Sequence, residues 1–238
     1  MFEASASLVL TRLDRKAIWW AIDKEVDIIS MSWNVLLSEN HDDKKNLEDA
    51  IREARRRNIL LYCAAGEKKQ TMQGKKAYPS TCLETFSIGA ASDNRVAYDY
   101  VGESRFLFPS DNNGVDGGSS AATALAAGLA SLILYCLRSH NREQERITQE
   151  KEEKTRDKGG QGQPAQQPLQ KQEPSAPAID EDPHDMMEKV FDSLCRERSG
   201  HYVEIDELIG NDKGSATYAT IAKRCLPFKS EDRVRKRT

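Results

Sequence analysis

Apolar positions along the chain switch repeatedly between a helical period and short uninterrupted runs. In KAIWWAIDK, Ile18, Ala21 and Ile22 fall on one face, which predicts a helix over Lys16 to Lys24. VDIISM (Val26 to Met31) is short, apolar and β-branched, the signature of a buried strand. Leu47, Ala50, Ile51 and Ala54 recur at helical spacing and predict a second helix over Asp42 to Arg57. ILLYCA (Ile59 to Ala64) and FSIGAA (Phe86 to Ala91) read as two further strands. Ser119 to Leu137 is a long run of small and apolar residues, expected to form a buried helix. Strands alternating with helices imply an α/β fold with a parallel sheet flanked by helices.

Near residue 140 the pattern collapses. Residues 141–182 are dense in Gln, Glu, Lys and Pro and almost devoid of aliphatic side chains, so they are expected to form a disordered linker. The first part, Asn141 to Lys158, is compatible with an extension of the preceding helix into solvent. Beyond it, Asp182-Pro183 has the form of a helix start, with Met187, Val190, Phe191 and Leu194 on one face of the segment to Arg198. A last helix is expected over Ala216 to Cys225. The expected organisation is thus a partial α/β domain (1–140), a linker (141–182) and a small helical C-terminal segment (183–238). The last is short for a self-sufficient domain and is expected to dock on something.

Composition narrows the function class. Charged residues are frequent, yet the net charge is only -3, which argues against nucleic acid or an anionic membrane as partner. Cys63, Cys82, Cys136, Cys195 and Cys225 have no C-x-x-C spacing and no histidine at metal-ligand distance. They read as free thiols in a reducing compartment, with no metal and no cofactor implied. The start of the chain lacks a basic region followed by an apolar run, and no uninterrupted apolar stretch is long enough to span a bilayer. The expected location is cytoplasmic.

Candidate chemistry concentrates in GGSSAATALAAGLASLIL (Gly117 to Leu134). A serine at the start of a small-residue helix suits a nucleophile, because the helix N-terminus offers free amides to a developing oxyanion. Helix capping by Ser119 or Ser120 explains the same residues. On this segment alone both readings stay open.

Three further blocks change the balance. AIWWAIDKEVDIISMSW, NILLYCAAGE and YPSTCLETFSIGAASDNRVA, followed by Gly118 to Gly128, resemble in order the C-terminal half of the catalytic domain of the subtilases, the subtilisin-like serine proteases. The resemblance covers roughly residues 15–137. It implies a serine endopeptidase fold, with Ser120 at the nucleophile position. It also implies cleft walls formed by Ser32, Trp33 and Asn34 on one side and by Ala64, Ala65 and Gly66 on the other. A peptide or protein partner would bind between them as an added strand. Trp33-Asn34 replaces the family's usual Leu-Gly, which is expected to narrow the pocket unless Trp33 serves core packing instead.

Other parts of the family pattern are missing. A Ser-His-Asp machine needs a base touching the serine and a carboxylate to orient it. Neither a D-T/S-G nor an H-G-T motif occurs, and His41, the one histidine before Ser120, sits in the polar stretch SENHDDKK after the cleft-wall strand. At the oxyanion position the family's Asn is replaced by Glu67. Losing that amide donor costs about 10²–10³ in rate in subtilisin, the family's namesake, and a carboxylate there adds repulsion unless it turns to solvent or is neutralised by Lys68 and Lys69. The resemblance therefore implies a degenerate subtilase, a truncated one, or both, with impaired catalysis. A non-catalytic peptide- or protein-interaction module is the alternative, and self-association through uncovered strand edges is expected.

Overall fold

The computed structural model describes residues 14–37, 42–68, 76–110, 118–158, 182–195, 201–209 and 218–225. Residues 5–10, considered as a replacement strand, lie outside the described residues. So do His41, Lys69 and residues 159–181 of the expected linker.

The chain divides into two compact units, Met1–Ser131 with Glu181–Leu208, and Leu132–Asp180 with Ile209–Thr238. This differs from the three-part division expected from composition, because the segment after residue 182 is shared between the units. Its first helix belongs with the sheet.

In the first unit, α1 (residues 14–23) leads into β1 (Ile28–Met31), β2 (Val35–Leu37), α2 (Asp42–Arg56), β3 (Leu60–Ala64), β4 (Lys76–Tyr78), β5 (Phe86–Ala91) and β6 (Phe106–Pro109). The main sheet has the order β1-β3-β5-β6, and every neighbouring pair is parallel. β2 and β4 form a separate antiparallel pair. The helix-to-strand turns rest on residues in the left-handed region: Glu25 (φ 52°) ends α1 and Asn58 (φ 60°) ends α2. At the second turn the Ile59 amide donates to the Ala54 carbonyl at 3.0 Å, so a helix carbonyl left without an intrahelical donor is satisfied.

Alternation along β3 divides the core into two layers. Leu61 and Cys63 join Ile18 and Ile22 of α1 and Leu47, Ala50, Ile51 and Ala54 of α2 in one apolar cluster. Tyr62 faces the other way, stacked on Phe86 with ring centroids 5.1 Å apart. That second layer is closed by α4 (Pro183–Leu194), whose Phe191 ring lies 5.3 Å from Phe106 and 5.4 Å from Phe108. Asp182 caps α4 by accepting the His184 amide at 2.9 Å, with Pro183 in the first turn, as its sequence predicts.

α3 (Ser119–Lys158) begins in the first unit and continues in the second. It runs on through residues 141–158, the extension into solvent that the sequence allows. Pairs one turn apart, Arg146 with Glu143 at 2.7 Å and with Glu150 at 3.0 Å, support that solvent-facing stretch. Among the described residues α3 is the one helix long and apolar enough to cross a membrane, by length and composition only. Uninterrupted apolar runs had indicated none. Half of the apolar window is buried inside the protein, including Ala122, Ala126, Ala130 and Ile133, as in the core helix of a globular domain. The second unit also holds α6 (Tyr218–Cys225), preceded in the chain by the short α5 (Ile205–Ile209). In α6, Ile221, Ala222 and Cys225 are buried.

Candidate active site

The parallel register that pairs Met31 with Cys63 brings the C-terminal ends of β1 and β3 side by side. The segments 32–34 and 65–67 leave the sheet there, at the end where open α/β sheets bind their ligands. The start of α3 comes to the same place. Ser120 Oγ donates to the Ser32 carbonyl oxygen at 3.3 Å, and Ser32 Oγ donates back to the Ser120 carbonyl oxygen at 3.4 Å. Both serines are exposed. The Ser120 hydroxyl thus turns across to the backbone at the end of β1.

These two segments are tied together. Asn34 Nδ2 donates to the Ala64 carbonyl at 2.6 Å, and Asn34 Oδ1 accepts the Ser80 amide at 3.4 Å. The Ala65 amide donates to the Ile88 carbonyl at 2.8 Å, and the Gly66 carbonyl accepts the Gly102 amide at 2.8 Å. Gly66 is needed for close approach, since a Cβ there would stand 2.6 Å from the Ala77 Cβ on β4. Glu67 is bridged through its backbone to Val101, and its side chain is exposed. Trp33 is half-buried and packs against the α1–α2 cluster, the core-packing alternative of the two expected for it.

No described histidine serves Ser120. His140 lies twenty positions further along α3, about 30 Å away at the rise of an α-helix. His184 stacks on Phe86, at the opposite end of the strands from the cleft, with 4.2 Å between ring centroids. The carbonyl of His201 accepts the Leu107 amide at 2.8 Å, on the β6 edge. Nor is there a competing thiol nucleophile in the wall strand. Burial pushes Cys63 up to about 12, against a hydrogen bond with Thr85 that lowers it, so the thiol stays protonated and inert. All five cysteines are free. One cluster with metal-ligand chemistry, His184, Asp185 and Glu188, lies on α4 away from this cleft.

Residues 5–167 match the family model of the subtilases, Peptidase S8. This chain belongs to the subtilase family. The match reaches beyond the blocks legible in the sequence at both ends, and the family's activity is that of a serine protease. The curated intracellular serine protease of Paenibacillus polymyxa is 28% identical over 132 residues, which cover 50% of this subtilase and 39% of that protein. Among solved structures, a mutant of the PatA protease domain matches with a TM-score of 0.51 at 19% identity, covering 81% of this chain and 62% of that one. The prenylagaramide maturation protease PagA matches with a TM-score of 0.50 at 18% identity, covering 93% and 68%. At those identities the structural likeness establishes the fold, a subtilisin-like α/β arrangement.

Two features of this subtilase site were not legible in advance: the antiparallel β2–β4 pair behind Gly66 and the amide bridge made by Asn34. The only sequence signal for the first was the short alternation in Lys-Ala-Tyr. The second required knowing that residues thirty positions apart meet.

Proposed function

We propose that this subtilase chain retains a cleft for an extended peptide and is catalytically impaired, with Ser120 at the nucleophile position, Glu67 at the oxyanion position, and Ser32, Trp33, Asn34 and Ala64, Ala65, Gly66 as the walls. The observation that carries the reading is the partner of Ser120. Its hydroxyl proton is donated to a backbone carbonyl, a group that cannot accept it as a base, and among the described residues no histidine or carboxylate hydrogen-bonds to it. Without a general base the serine is a poor nucleophile. A carboxylate at residue 67 gives no donor to an oxyanion. Its exposure relieves the repulsion, but leaves the site without the lost amide. Binding makes fewer demands. The exposed strand-end backbone beside Ser32 and the β1 edge, unpaired among the described residues, suit recognition of a peptide as an added strand. Free cysteines and an intracellular relative support a cytoplasmic setting.

The test is labelling of the purified chain by a fluorophosphonate probe. Labelling at the level of a Ser120→Ala control is expected. Strong labelling that disappears in the control would show that a base reaches Ser120 and would sink the impaired reading.

A further inference from the structure

The start of α4 carries a group of side chains that the cleft does not use. His184 and Glu188 are one helical turn apart, with Asp185 beside His184, and one ligand atom from each lies within 4.8 Å of the others. His184 is 5% exposed, and neither Nδ1 nor Nε2 has a hydrogen-bond partner. A buried polar atom left unsatisfied is a standing cost that native structures avoid. The ring is fixed by its stack on Phe86, and its Nδ1 stands 3.9 Å from Asp185 Oδ1. The ring is thus held in place with one nitrogen toward a carboxylate and neither nitrogen hydrogen-bonded.

We propose that His184, Asp185 and Glu188 form a binding site for a divalent transition-metal ion of the zinc class, which when filled secures the first turn of α4. An imidazole nitrogen with two carboxylate oxygens matches the ligand preferences of such ions, with water to complete the coordination, and is a poor match for calcium or magnesium. The ring is also ready for a metal. Burial, aided by the charges of Arg55 and Arg105 and opposed by Glu188 and Asp182, holds His184 down to about 4, so no proton competes for the lone pair at neutral pH. The same arginines oppose the ion. Arg55 donates to Asp182 at 2.7 Å and to Asp185 at 3.2 Å, and Arg105 pairs with Glu188. A bound cation must draw Asp185 and Glu188 away from them, which favours a strongly coordinating ion and weakens its binding.

The experiment is calorimetric titration of zinc chloride into the full chain, stripped with chelator and kept reduced, alongside Glu188→Gln and His184→Phe. Glu188 is half-buried and glutamine keeps its size and shape, while phenylalanine preserves the stack on Phe86. One zinc ion per chain is expected for the wild type, with binding at least tenfold weaker in each variant, and a zinc-dependent rise in Tm confined to the wild type. Equal zinc affinity in the wild type and in folded Glu188→Gln overturns the proposal, because a site on the thiols would give that result. So does the absence of binding to the folded wild type at millimolar zinc.

Discussion

The two edges of the main sheet are finished differently. At the β6 edge, Leu107 donates to the His201 carbonyl at 2.8 Å and accepts the Val203 amide at 3.0 Å, so a segment from the far end of the sequence adds to the sheet. Glu204, next along that segment, is buried and ion-paired with Arg95 at 2.9 Å. α4 closes the adjoining aromatic layer with Met187, Val190 and Phe191, each 1% exposed or less. At the β1 edge no strand pairs beyond Ile28–Met31 among the described residues. Ile28 and Ile29 are half-buried and Ser30 is exposed. A covered edge is a structural element, whereas a bare one is a template for another strand. The contrast teaches that this chain closes one side of its sheet with its own late sequence, whereas among the described residues the other side, next to the candidate cleft, has no such cover.

The most severe way to break that comparison is to remove the covering on the β6 side. Phe191→Ala takes away a ring that meets Tyr62, Phe86, Phe106 and Phe108 and leaves a cavity among them. A loss of about 3–5 kcal/mol is expected in denaturant unfolding. A loss below about 1 kcal/mol would mean that α4 is not part of the core. A second test uses pH. His184 is depressed from 6.5 to about 4, chiefly by burial and next by Arg55 and Arg105, with Glu188 and Asp182 opposing and Asp185 also at hand. Above pH 6.5 the ring is neutral in both states and its contribution is complete. As the pH falls from 6.5 toward 4 the unfolded chain takes the proton and the native chain does not, so stability falls by on the order of 3 kcal/mol. Unfolding of the metal-free protein across that range should show the loss in the wild type and a flatter profile in His184→Phe. Parallel profiles would contradict the burial of this ring. The mildest change is on the other side. Ser30→Lys puts a charge on the β1 edge, and stability should stay within about 0.5 kcal/mol. Light scattering at micromolar concentration should show self-association of the wild type reduced in the variant. Identical behaviour would mean that the β1 edge is not where chains meet.

Much of the fold was legible because its signals are local. The spacing of Leu47, Ala50, Ile51 and Ala54 fixes α2 to within a residue, and the apolar runs at residues 59–64 and 86–91 mark the two central strands. β2 and β4, at three residues each, are too short to show an alternation. β6 carries Pro109 at its end and reads poorly as a strand, because proline donates nothing to a ladder. The amphipathic face of α4 announced that it docks, but not where, since Arg55 and Asp182 meet across 127 positions. The site divides in the same way. The Gly-Ser-rich start of α3 and the two wall strands carried the family resemblance. The contact between Ser32 and Ser120 joins residues 88 apart and exists only once β1 and α3 are in place. Trp33 could be assigned to pocket or core from its neighbours in sequence, and only the packed cluster decides for the core.

The central claim, a subtilase cleft without an activated serine, is tested most directly by turnover. The full chain and its Ser120→Ala variant would be incubated side by side with a pool of unstructured peptides for several days, and the products read by mass spectrometry. The account expects the same fragments, at background level, from both proteins. New cleavage products that accumulate with the wild type and are missing with Ser120→Ala would contradict it.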